Sequence, residues 1–201
     1  MKLSLLIPGA LILVASASTA DDDRPAGARS LVRNLEIEAD YGQIYIYDPQ
    51  TQVWDENATE DDNSLERAMD DAYDSRRFVG YDSGLVDLLT PSQYNWKVPM
   101  RIEVSNESPS LDEEAWDHIV EVPLPVPSGM LFFQASGGGT PIETQIPAGT
   151  YCARLSGRGF VAGAGEIEGH ESYRLQLWPA EEAEAALIKY WDGYDIMRPD
   201  G

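Results

Sequence analysis

Short stretches of alternating apolar and polar residues, each closed by glycine, proline or aspartate, recur from about residue 35 to residue 178. A period of two is what a half-buried strand needs, because successive side chains point to opposite faces of a sheet. Leu35-Glu36-Ile37-Glu38 alternates, and Gln43-Ile44-Tyr45-Ile46-Tyr47 is aromatic and β-branched before it stops at Asp48-Pro49. Asp40-Tyr41-Gly42 therefore reads as the turn between two consecutive strands. Met100 to Val104 alternates again, and Trp116 to Val122 puts Trp116, His118, Val120 and Val122 on one face. The prolines at 123, 125 and 127 are expected to end that strand. Met130 to Phe133, Ile142 to Ile146, Thr150 to Leu155 and Ser172 to Trp178 continue the series, with turns at Gly137-Gly138-Gly139 and Pro147-Ala148-Gly149.

One helix interrupts the strands. Asn63-Ser64-Leu65-Glu66 resembles a capping box, and Leu65, Ala68, Met69 and Ala72 recur at helical spacing up to Ser75. Pro179-Ala180-Glu181-Glu182 can open a second helix, with proline in the first turn and glutamates at the positive end of the dipole. Ala186 to Trp191 can equally form a last strand, and both readings stand open. The pattern as a whole predicts an all-β chain, an antiparallel β-sandwich with one or two short peripheral helices.

Residues 1–20 read as a signal peptide: Lys2, an apolar run from Leu3 to Ala15, then small residues ending Ser18-Thr19-Ala20. Residues 21–33 read as an acidic, flexible linker and 34–201 as one β-sandwich domain. The apolar run is short for a membrane span, so none is expected in the mature chain. A true leader implies a secreted or periplasmic protein; a start at Val32 would make it cytoplasmic. Cys152 is the only cysteine, which rules out an intramolecular disulfide and suits a small buried side chain on its strand.

Charge narrows the function. Against 35 Asp and Glu stand 14 Lys and Arg, a formal net charge of −21 on 201 residues. Such a field repels nucleic acid and speeds encounter with basic partners, so direct nucleic-acid binding is not expected. The same composition serves solubility in high salt, and only three cations are lysines (Lys2, Lys97, Lys189). Asp55, Asn57, Thr59, Asp61 and Glu66 have the oxygen spacing of a calcium loop, yet Glu60 occupies the position that needs glycine. The loop reads as solvated acid, and no metal or cofactor is expected. Gly157, Gly159, Gly163 and Gly165 have neither a following helix nor a nearby lysine, which leaves a flexible hairpin. His118 and His170 are the only imidazoles; His118 lies on an apolar strand face, as a hydrogen-bonded core histidine does. Carboxylate pairs are too abundant to single out a hydrolytic site, so no catalytic residue is assigned.

Several segments together carry a resemblance. They are Ile37 to Tyr45, with Tyr41-Gly42-Gln43 entering a strand; Trp54 before an acidic helical stretch; the turn Gly80-Tyr81-Asp82-Ser83-Gly84; Trp116 to Pro123; and Ile146 to Tyr151. In that order they resemble the competence protein ComJ family, small acidic proteins that accompany and inhibit a DNA-entry nuclease. The leader, the loop from Gly157 to Gly169 and the extension beyond Trp178 depart from it. The resemblance implies a non-enzymatic inhibitor whose partner is a basic protein, a nuclease or a toxin. A nuclease cleft is basic because it binds a polyanion, and ordered carboxylates can occupy it as DNA does. The candidate partner-binding residues are Glu60, Asp61, Asp62, Asp70, Asp71 and Asp74, the last three spaced i, i+1 and i+4 on the expected helix. Three other readings stay open: an exported β-sandwich protein of structural or ligand-binding role, a halophile-adapted domain, and a hydrolase using His118 or His170.

Overall fold

The computed structural model describes residues 31–51, 63–161 and 169–197. Its elements are β1 (Leu31–Asp40), β2 (Gln43–Tyr47), α1 (Ser64–Asp74), β3 (Val79–Asp82), β4 (Leu85–Leu89), β5 (Tyr94–Val104), β6 (His118–Val126), β7 (Met130–Ala135), β8 (Ile142–Gln145), β9 (Gly149–Arg158), β10 (Ser172–Pro179), β11 (Ala186–Lys189) and α2 (Tyr194–Met197). Two hairpins close by two-residue turns with positive φ at both central positions, Tyr41 (52°) with Gly42 (72°) and Ser83 (48°) with Gly84 (86°). That geometry matches the twist of the strands it joins.

The strands form one mixed sheet in the order β11-β6-β9-β10-β5-β1-β2-β4-β3, with β7 on the other edge of β2 and β8 beyond it. The chain is mostly β, as the alternation predicts, but it is a curled half-barrel and not an antiparallel sandwich. Two features account for the difference. β10 runs parallel to β5, Tyr173 opposite Met100 through Leu177 opposite Val104, so the sheet is mixed. β2 meets β1 only at Asp40 opposite Gln43, while its two edges bond β4 and β7. The sheet therefore turns a corner at the first hairpin and stays continuous instead of dividing in two. Both arms of the curl contribute to one apolar core, Ile37, Ile44, Val86 and Phe133 from one region packing with Met100, Val122, Leu155 and Leu175 from the other.

β6 does not stop at its prolines; it runs through Pro123 and Pro125 to Val126, opposite Cys152 to Gly149 of β9. Its other neighbour, β11, covers only Ile119 to Glu121, so the prolines occupy an edge stretch where no ladder needs their missing N–H. β11 also decides between the two C-terminal readings: Ala186–Lys189 is a strand, and no helix opens at Pro179.

Helix α1 begins where the cap signal places it, with the Asn63 side chain accepting from the Leu65 N–H at 3.1 Å. It lies directly on β3. Ala68 and Ala72 are fully buried, and a Cβ added at Gly80 would stand 1.6 Å from the Ala68 carbonyl oxygen. Small residues on both sides bring the helix backbone down onto the strand. No helix among the described residues is long and apolar enough to cross a membrane.

Candidate interaction surface

The helical spacing that buries Ala68 and Ala72 turns Asp70 and Asp74 outward, one turn apart and in line with the half-buried Glu66. Neither Asp70 nor Asp74 takes part in an ion pair among the described residues. The last turn carries no basic residue, so Asp74 sits uncompensated at the negative end of the helix dipole. Asp71 turns the other way. Its Oδ2 accepts from Arg77 Nη2 and, at 2.9 Å, from the Tyr81 N–H, fastening the end of α1 to β3. The structure thus brings Asp70 and Asp74 together on an open ridge and takes Asp71 into its own framework. Glu60, Asp61 and Asp62, with the calcium-like spacing from Asp55 to Asp61, lie outside the described residues.

Most cations among the described residues are engaged within the fold. Among the described residues six arginines pair with carboxylates: Arg67 with Asp82, Arg76 with Asp195, Arg77 with Asp71, Arg101 with Glu103, Arg154 with Glu121 and Arg174 with Asp112. Two of them, Arg154 and Arg174, hold the segment between β5 and β6 across the outer face of the sheet, joined there by Arg158. Arg154 Nη1 donates to the Pro109 carbonyl at 3.0 Å, and Arg158 and Arg174 both lie over the Trp116 ring. Lys189 Nζ donates to the carbonyls of Glu113 and Trp116.

Beneath α1 lies a carboxylate that sequence reading passed over. Asp87 is fully buried, neither of its oxygens has a hydrogen-bond partner, and burial pushes its pKa up to about 8. Tyr45 on β2 and Tyr73 on α1 feel its charge, and both phenols are raised, first by their own burial and then by Asp87. The signal was an acid inside the apolar run Leu85-Val86-Asp87-Leu88-Leu89.

The imidazoles and the thiol do not assemble. His118 is buried, its Nε2–H donating to the Arg77 carbonyl at 2.6 Å while Nδ1 accepts from the Trp191 N–H at 3.2 Å. Burial lowers its pKa to about 4, as befits a neutral core histidine. Cys152 is buried five positions along β9 from Gly157, the partner of His118, and so belongs to the opposite face of the sheet. Burial, with the Glu121 carboxylate nearby, pushes its thiol up to about 12. His170 is exposed in the segment before β10. Among the described residues, no three His, Cys, Asp or Glu side chains group so as to hold a metal ion.

No protein-family model and no curated protein sequence matches the chain. Two solved structures are similar to it. One is ComJ from Bacillus subtilis, an inhibitor of the DNA-degrading activity of NucA, at 15% identity over 77% of this chain and 100% of that one, with a TM-score of 0.46. The other is described as crocagin biosynthetic gene J, at 14% identity over 76% of this chain and 99% of that one, with a TM-score of 0.47. The chain thus resembles ComJ in structure over most of its length, weakly and at low sequence identity.

Proposed function

We propose that this chain is a non-enzymatic acidic binding protein that docks on a basic partner protein through the exposed face of α1. The observation that carries the reading is the ridge of Asp70 and Asp74, left without cations on a helix wedged against Gly80, while arginines elsewhere are paired within the fold. Selection for stability alone favours a cation, not Asp74, in the last helical turn. Glu60, Asp61 and Asp62 extend the same acidic run in sequence and are assigned the same role. The buried His118, hydrogen-bonded at both nitrogens, and the high-pKa Cys152 fit a protein without catalytic chemistry. ComJ inhibits a DNA-degrading activity, so a nuclease is the first partner to test and an immunity-type toxin the second. Export belongs to the same proposal, with Asp21 as the expected mature N-terminus.

The test is an affinity capture at low and high salt from source lysate and culture fluid, followed by titration of any captured basic enzyme. Binding should weaken steeply with salt, and Asp70→Asn with Asp74→Asn should cost about tenfold in affinity at low salt and little at high salt. Binding that ignores both salt and the double substitution would remove α1 as the interface.

A further inference from the structure

On the outer face of β1 and β5, three features coincide that neither the core nor the ion pairs require. The first is a β-bulge. Ile37 lies opposite Val98 and Ala39 opposite Asn95, so Glu38 alone faces both Trp96 and Lys97. The extra residue resets the alternation: Asn95 and Val98 stay buried while Trp96 and Lys97 both turn to solvent, Trp96 with 52% of its surface exposed. A regular strand would have sent Trp96 to the same face as Val98.

The second feature is Tyr41, at φ 52° in the first hairpin turn and 65% exposed. Glycine, asparagine and aspartate are the usual residues there, because a bulky side chain crowds its own backbone in the left-handed region. Its recorded ring contact is with Tyr94, edge-on with centroids 5.8 Å apart, and Tyr94 in turn lies 6.0 Å from Trp96 with the planes 22° apart. The three rings make a ledge. Third, Glu36, Glu38 and Asp40 alternate onto the same side of β1 as the ledge, Asp40 opposite Tyr94, and neither glutamate has an ion-pair partner among the described residues. Tyr41 also walls a cleft of about 140 Å³ whose lining includes Tyr73 of α1, so the ledge adjoins the acidic helix.

We propose that this ledge receives an arginine-bearing segment of a basic protein, the guanidinium stacking on Trp96 or Tyr41 and pairing with the carboxylates of β1. A planar guanidinium can use an aromatic face and a carboxylate together, whereas an ammonium gains chiefly from charge. A neutral sugar could use the rings but would leave the carboxylate charge unmatched. The assignment rests on the acidic-binder function proposed above, and adds where the partner sits and which side chain it presents.

Nona-arginine and nona-lysine peptides titrated against the full chain at equal salt provide the test. The arginine peptide should bind about fivefold tighter. Trp96→Thr and Tyr41→Asn should each lower the ratio and together bring it close to one with the melting curve intact, since threonine suits an exposed strand and asparagine a left-handed turn. Asp70→Asn with Asp74→Asn should weaken both peptides alike and leave the ratio unchanged. Equal affinity of the two peptides, or a preference that survives both ring substitutions, overturns the ledge while the acidic-binder function stands. Failure of both peptides to bind overturns both. A neutral glucose oligomer that binds the parent chain and not Trp96→Thr overturns the arginine assignment in favour of a sugar platform.

Discussion

Asp87 and His118 carry opposite pH responses within one fold. Asp87 is raised from 3.8 to about 8 by burial, so between those values the folded chain holds a proton that the unfolded chain has lost. Its contribution is full below about pH 4 and declines as the pH rises towards about 8, where the loss ends. His118 is lowered from 6.5 to about 4, so its contribution is full above 6.5 and is lost as the pH falls towards 4. The two slopes oppose each other from about pH 4 to 6.5, and Asp87 acts alone from there to about 8. Asp87→Asn keeps the shape and removes the charge. The difference in melting temperature, variant minus parent, should grow from pH 5 to pH 8 and level off beyond; a difference constant over that range would show that Asp87 is not a buried neutral acid. Cys152 supplies a second residue-scale prediction. With its thiol buried and pushed up to about 12, it should resist a disulfide reagent at pH 8 in the folded chain and react at once in denaturant.

The α1–β3 contact is the element most exposed to a single methyl group. With the Gly80 Cβ position 1.6 Å from the Ala68 carbonyl oxygen, Gly80→Ala must lift the helix or bend the strand. It should cost about 3 kcal/mol by chemical denaturation and release the α1 amides to hydrogen exchange before the rest of the sheet. The helix itself was legible, because Asn63 at the cap and the spacing of Ala68 and Ala72 are local signals. So were β2, β7, β8, β9 and β10, which follow alternation or short apolar runs. β4 was not: α1 covers its outer side, all five residues are buried, and an apolar run with Asp87 inside has no period of two. The first half of β5 was lost because the bulge at Trp96 and Lys97 breaks its alternation. The β5–β10 pairing joins segments about 70 residues apart, and no local pattern announces it. The spacing of Asp70, Asp71 and Asp74 was readable too. That Asp71 is drawn inward was not, since Arg77 and the Tyr81 amide come from chain beyond the helix.

Across the whole molecule, the charge distribution predicts that stability and the proposed binding respond to salt with opposite signs. The chain carries −21, and many of its cations are locked against particular carboxylates, which leaves the remaining acids to repel one another. Added salt screens that repulsion, so the melting temperature should rise over the range in which binding to a basic partner falls. Asp74→Asn should move both properties as salt does: about 0.3–0.5 kcal/mol more stable, because a charge leaves the negative end of α1, and weaker towards the partner. The extent of the salt response separates a partner-directed surface from a salt-adapted one. Screening has a Debye length of about 10 Å at 0.1 M and about 3 Å at 1 M, so simple repulsion is largely suppressed by about 0.5 M. A melting temperature that levels off there, in a chain already folded at low salt, fits carboxylates arranged for a basic protein. A chain that folds only in molar salt, with stability still climbing beyond 1 M, would assign the acidic surface to the solvent and leave the α1 ridge without a partner to explain it.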